Sequence, residues 1–385
     1  MHTVYLDNNA TTRVDPLVFE EMRPFFCDRY GNPSSMHSFG GEVGKDLKTA
    51  RERVAALIGC DPSEVIMTSC GTESDNTALR SALESQPEKR HLITTKVEHP
   101  AVLNLAKHLV KKGYHLTLLG VDQDGALDMD ELRDAIRDDT ALISVMWANN
   151  ETGTIFPVEE IAELAKSRGV LFHTDAVQTV GKLPMNIAKT SVDFLALSGH
   201  KLHAPKGIGA LYVRKGTPFR PFIIGGHQER SRRAGTEPVP SIVGLGKACE
   251  IALENIHHEN TTVRALRDRL EKGILSSISD SRLNGHPTDR LPNTVNISFK
   301  FVEGEAILLL MNELGMCASS GSACTSGSLE PSHVLRAMGV PFTFAHGSIR
   351  FSLSRFNTRE EIDFVIEKLP PIIARLRSIS PYMEG

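Results

Sequence analysis

Six cysteines in 385 residues are few, and no two of them stand as C-x-x-C. Neither a zinc ribbon nor a disulfide framework is therefore expected, and most of the thiols are expected to be reduced and buried as small apolar groups. Excess charge is missing too. A formal net charge of −4 gives no reason to expect nucleic acid or an acidic membrane surface as a partner. No apolar run is long enough to span a bilayer, and Met1-His2-Thr3-Val4-Tyr5-Leu6-Asp7 lacks the basic and apolar regions of a secretory signal. There is no internal repeat, no low-complexity tract and no G-x-G-x-x-G turn, and the last absence argues against a bound dinucleotide. A cytoplasmic globular protein of two or three domains is expected, with 41% hydrophobic and 23% charged residues.

What is present alternates. After a short strand at 3–6, Asp15-Pro16 reads as a cap and first helical residue of a helix to about Phe26. A longer helix follows, with Val43, Leu47, Ala50, Val54 and Leu57 at helical spacing, and ends near Gly59. From Glu64 strands and helices take turns: strands near 65–68, 92–95, 116–119, 141–146, 170–174, 194–197 and 209–213, with helices 73–83, 100–112, 132–136 and 158–168 between them. Short connections between such units predict an α/β fold with a mostly parallel sheet covered on both faces. A long helical region from about Ser241 to Ser276 leads to strands near 294–299 and 349–353 and helices near 304–314 and 358–376, which suggests a smaller α+β domain beyond about residue 260.

The chemistry gathers at strand ends. Phe194-Leu195-Ala196-Leu197 runs into Ser198-Gly199-His200-Lys201, and the strand before it ends at Asp175, with Gln178 close behind. Open α/β sheets bind ligands outside the carboxyl ends of their strands. A lysine, a carboxylate, a hydroxyl and an imidazole there suit pyridoxal 5'-phosphate (PLP), with Lys201 as the Schiff-base amine and Asp175 paired to the pyridinium nitrogen. A lone Ser-Gly-His-Lys is more often a solvated turn. Gly71-Thr72-Glu73-Ser74 sits where a strand becomes a helix and could seat a phosphate on free N–H groups, or be an ordinary cap by Thr72. His99 before Pro100 could stack on a flat cofactor or cap its helix. Asn149-Asn150 could offer amide donors or merely serve a turn.

A second signal is Ala318-Ser319-Ser320-Gly321-Ser322-Ala323-Cys324-Thr325-Ser326-Gly327-Ser328. Its Gly/Ser composition predicts a flexible arm, and Cys324 in the middle reads as a nucleophile rather than a core thiol, the alternative being a linker with an incidental cysteine. Cys317 reads as a buried apolar residue. Arg350, inside an alternating strand, could fork onto a substrate carboxylate or pair with an acid. Arg230, Arg232 and Arg233 read as a solvated loop, an anion site or an interface segment.

Taken together these stretches resemble the NifS/IscS cysteine desulfurases of the class V aminotransferase group, fold type I PLP enzymes. The resemblance rests on Tyr5-Leu6-Asp7-Asn8-Asn9-Ala10-Thr11-Thr12, Gly31-Asn32-Pro33-Ser34-Ser35, Gly71-Thr72-Glu73-Ser74, Glu98-His99, Asn149-Asn150-Glu151, Asp175-Ala176-Val177-Gln178, Ser198-Gly199-His200-Lys201 and Ser320-Gly321-Ser322-Ala323-Cys324, in that order. Met146-Trp147-Ala148-Asn149-Asn150 and Gly226-His227-Gln228-Glu229 look like the NifS branch, which supplies sulfur for nitrogenase clusters. The resemblance implies an aspartate aminotransferase-like, seven-stranded large domain over 16–260 and a small domain of 1–15 plus 261–385 carrying the cysteine loop, about 318–330. It implies that Lys201 carries PLP and moves the Cα proton, Asp175 meets the pyridine nitrogen, Gln178 the phenolic oxygen, and His99 stacks on the ring. Gly71, Thr72, Ser198 and His200 would hold the phosphate, joined by Thr236 from the second subunit of a homodimer. Asn150 and Arg350 would orient the carboxylate of the substrate, L-cysteine. Cys324 would take its sulfur as a persulfide, leave L-alanine, and pass the sulfur to an iron–sulfur scaffold protein. No metal is expected.

Overall fold

The structure, a computed structural model, describes residues 3–320 and 330–380. Cys324 and most of its loop lie outside the described residues. Strands β1 (Val4–Tyr5), β2 (Val65–Thr68), β3 (His91–Thr95), β4 (His115–Leu119), β5 (Thr140–Ser144), β6 (Leu171–Asp175), β7 (Phe194–Ser198), β8 (Gly209–Val213), β9 (Ser281–Asn284), β10 (Thr294–Phe299), β11 (Met316–Cys317) and β12 (Ser348–Ser352) form three sheets. The largest has seven strands in the order β2-β8-β7-β6-β5-β3-β4. All its pairings are parallel except those of β8, which runs against both β7 and β2. Consequently β2 points the same way as β3, β5, β6 and β7, and the carboxyl ends of all five share one rim.

Most of these strands are buried along their whole length, as expected of a sheet with helices on both faces. One face packs under Ile161, Phe172 and Val145 with the long helices, and the other under Leu79, Val102 and Leu211. Helix Ser38–Ile58 ends at Gly59 in the left-handed conformation, φ 70°, as its place in the sequence requires. It lies against helix Val239–His258 closely enough that a Cβ on Gly246 would stand 2.5 Å from Ala50 Cα, so only glycine fits the crossing.

A second core collects Val4, Leu6, Leu270, Ile297, Phe299, Phe351 and Val365. It lies under the antiparallel sheet β12-β10-β9, flanked by helices Arg264–Ser277 and Arg359–Ser378. The last helix starts with the capping box of Thr358 and Glu361. The first strand reaches this core by pairing in parallel with β11.

The region 241–276 is helical as expected, as two helices joined by a π turn at Glu259–Val263. Two local expectations are corrected. The helix expected over 16–26 is two, Pro16–Met22 and Pro24–Cys27, because Pro24 has no N–H to continue the first. Of the described cysteines only Cys249 is fully buried; Cys60, Cys70 and Cys317 are half-buried and Cys27 is exposed.

Candidate active site

The rim holds a cavity of ≈ 360 Å³ lined by groups from every strand end that reaches it. Lys201 closes the short turn Gly199–Lys201 after β7, and Nζ donates to the carbonyls of Asn9 at 2.5 Å and Ala10 at 2.7 Å. Burial, reinforced by the charges of Arg350 and Lys182, brings its ammonium down to about 7, so near neutrality a large share is free amine. His200 beside it falls to about 4, first from burial and then from Lys201, which keeps it neutral while Nδ1 meets Thr11 Oγ1 at 3.1 Å. Asp175 ends β6, and its Oδ1 accepts from Val177 N at 2.9 Å. Burial raises this acid, with His99 and the Val177 N–H pulling the other way. Its anion is therefore stabilised by any cation on the cavity side. Gln178 Nε2 donates to Asn9 O at 3.0 Å.

His99 caps its helix and also faces the cavity. Its Nδ1 accepts from Ala101 N at 3.2 Å, capping helix Pro100–Val110, while its ring lines the cavity. Neutral, that ring carries its proton on Nε2, and burial lowers its basicity. Thr72 does not cap. The N-cap of helix Gly71–Glu84 is Cys70, and among the described residues no side chain satisfies the first N–H groups there. Asn150 and Arg350 also line the cavity. The Arg350 guanidinium donates to Asp7 Oδ1 at 2.8 Å and to the Asn150 carbonyl at 3.0 Å, so the acid pairing weighed for it is real. Its Nε, buried, has no partner among the described residues. Thr236 is not among the cavity residues of its own chain and stands exposed at the surface. The flanking arginines are not simply solvated, since Arg233 pairs with Glu73 at 2.9 Å and Arg230 donates to Val65 O at 2.9 Å.

PLP fits these residues. The uncapped N-terminus of helix Gly71–Glu84 opens on the cavity beside Ser198, whose Oγ is buried and unpartnered, and free N–H groups with a hydroxyl are what a phosphate seeks. Gly71 is needed there, for a Cβ would come within 2.7 Å of Val177 Cγ2. The low-lying amine of Lys201 and the buried acid of Asp175 suit the aldehyde and the ring nitrogen respectively. Reasoning from sequence missed Asn9, whose carbonyl serves both Lys201 and Gln178, as well as Cys70, Asp75 and Met146 on the wall. The polar run Asp7-Asn8-Asn9 was the available signal. Five positions before Cys324 in the sequence, Ser319 exchanges backbone bonds with Arg350 in both directions, at 3.2 and 2.7 Å.

The family model for class V aminotransferases matches residues 4–365. A cysteine desulfurase from Nostoc sp. is 62% identical over 382 residues, covering 99% of this chain and 96% of that protein. The cysteine desulfurase NifS of Azotobacter vinelandii is 60% identical over 386 residues, 100% of this chain and 96% of that one. A solved NifS-like protein superposes with a TM-score of 0.92 at 42% identity, over 97% of this chain and 100% of the other. The chain belongs to the class V aminotransferases, PLP-dependent enzymes, and within them to the cysteine desulfurases.

Proposed function

We propose that the enzyme converts L-cysteine to L-alanine by moving the substrate sulfur onto Cys324, from which an iron–sulfur scaffold protein, in nitrogenase assembly, receives it. The observation that carries this reading is the convergence of Lys201, Asp175, Gln178, Ser198, His200 and an uncapped helix end on one cavity. Ser319, five positions before Cys324 in the sequence, pairs its backbone with Arg350 of the cavity wall.

Bound PLP supplies an electron sink that acidifies the Cα–H of an attached amino acid. Everything else falls to side chains. Lys201 would hold the cofactor's aldehyde and, with the substrate amine in its place, its free amine would take the Cα proton and return it. Asp175 would meet the ring nitrogen, and Gln178 would donate to the phenolic oxygen. His99 would lie against the ring and move protons at Nε2. Gly71, Thr72, Ser198 and His200 would hold the phosphate, and Thr236 would join them from the partner subunit, which suits its exposure here. Arg350 and Asn150 receive the substrate carboxylate. The Cys324 thiolate attacks the substrate sulfur; the C–S bond breaks, its electron pair stays with Cβ, and a proton completes L-alanine. Ser320 lies four residues before Cys324, and four extended residues span at most about 14 Å. The separate core that gathers Val4 and Leu6 with residues between Val263 and Ile373 supports a small domain beside 16–260, while Val334, Leu335, Met338, Val340 and Ala345 pack in the larger core. No helix of the described residues is long and apolar enough to cross a membrane, in keeping with a cytoplasmic enzyme.

The direct test is to incubate purified protein with L-cysteine and a thiol reductant. L-Alanine and sulfide should accumulate one for one, and formation of pyruvate or of no product would sink the reading. Uptake of PLP by the cofactor-free protein should also follow the Lys201 amine. Below its folded value of about 7 the group is protonated and cannot attack; above it the amine is free. Growth of visible absorbance should speed up through neutral pH, and a rate flat between about pH 6 and pH 8 would contradict this.

A further inference from the structure

Lys182 is buried, 8% exposed, and no step described so far employs it. Its Nζ donates to the backbone carbonyl of Gln178 at 3.0 Å and to the side-chain Oε1 of the same residue at 3.2 Å. An amide whose oxygen is held in this way turns its NH2 outward. Gln178 Nε2 then donates to Asn9 O, the carbonyl that also accepts from Lys201 Nζ, and its second N–H remains for the cavity. One string of hydrogen bonds thus joins Lys182 to Lys201.

The opposite side of Lys182 is built from the π turn Glu259–Val263, a rare geometry that recurs at functional sites. Asn260 Nδ2 donates to the Lys182 carbonyl at 2.7 Å, and Glu259 supplies the attractive charge on the ammonium. Lys182, Lys201 and Glu259 line one cavity of ≈ 20 Å³, room for about a single water. Around it the charged and titratable groups are Glu259, itself drawn by Arg355, then Arg350 and Lys201, with His200 and His203 in the field of Lys182. Burial moves Lys182 down to about 8 and Glu259 up to about 7, so near neutral pH the ammonium persists.

We propose that Lys182 is a positioning residue: it locks the Gln178 amide with an N–H toward the phenolic oxygen of bound PLP and places a positive charge behind that amide, favouring the phenolate. The proposal rests on the reading that PLP occupies this cavity. A cation near the phenolate favours the deprotonated form of the lysine–PLP linkage, so the colour change of the bound cofactor should come at higher pH once the charge is gone.

The test is a visible pH titration of holo wild type, Lys182→Met and Lys182→Gln, the last retaining an N–H donor toward Gln178 without the charge. The midpoint should rise by about one pH unit in both variants, a tenfold gain in proton affinity. Midpoints coinciding with wild type would overturn the proposal. So would two variants that are unfolded by circular dichroism, or folded yet unable to keep PLP, since Lys182 would then serve only the fold or cofactor retention. A colourless wild type would instead remove the PLP reading itself.

Discussion

Lys201→Ala should lower turnover of L-cysteine by at least about 10⁴-fold, because in the proposed mechanism one change removes both the covalent anchor and the proton carrier. Acid–base catalysis alone is worth roughly 10²–10⁴, and loss of the nucleophile adds to it. The fold should survive. Among the described residues Nζ bonds only the carbonyls of Asn9 and Ala10, and burial already disfavours its charge, so removing it breaks no ion pair. Borohydride reduction followed by intact-mass measurement separates the possibilities. Wild type should retain one pyridoxyl group and Lys201→Ala none, at closely similar melting temperatures. Turnover within tenfold of wild type would mean that another amine does the work.

Cys324→Ala should have the opposite signature, with cofactor intact and sulfur transfer lost. No other group in the proposed sequence accepts the sulfur, so alanine formation should fall at least about 10³-fold, as nucleophile deletions do. The visible spectrum and its change on adding L-cysteine should persist, since Lys201, Asp175 and the phosphate groups are untouched. Trypsin digestion and mass spectrometry of the wild type after a single turnover should find the extra sulfur on the Cys324 peptide. Surviving activity in Cys324→Ala would point to Cys70, a thiol on the cavity wall, and the persulfide assignment would fall.

Much of the site could be read from local pattern because its parts stand directly after strands. Asp175 closes β6, Lys201 follows β7, Gly71 follows β2 and His99 follows β3. Period and turn residues find strand ends, and strand ends of one direction share a rim. Local reading was weakest where a choice depended on a distant neighbour. Thr72 has the residue type of a cap, yet the N-cap is Cys70 and, among the described residues, no side chain caps the first N–H groups. For Arg350 the alternatives stayed open until Asp7, 343 positions away, was found beside it. Lys182 looked like any lysine in Val180-Gly181-Lys182-Leu183; only the π turn and Gln178 give it a purpose.

By itself the order of residues determined the alternation of strands and helices, the chemistry available at each strand end and the family. Those are consequences of short-range sterics, burial period and the identities of a few side chains. Folding in three dimensions decided which backbone carbonyls meet Lys201, which acid neutralises Arg350 and which lysine stands behind Gln178. These contacts join groups as much as 343 residues apart in one case, and neither spacing nor composition encodes a bond made across the whole chain.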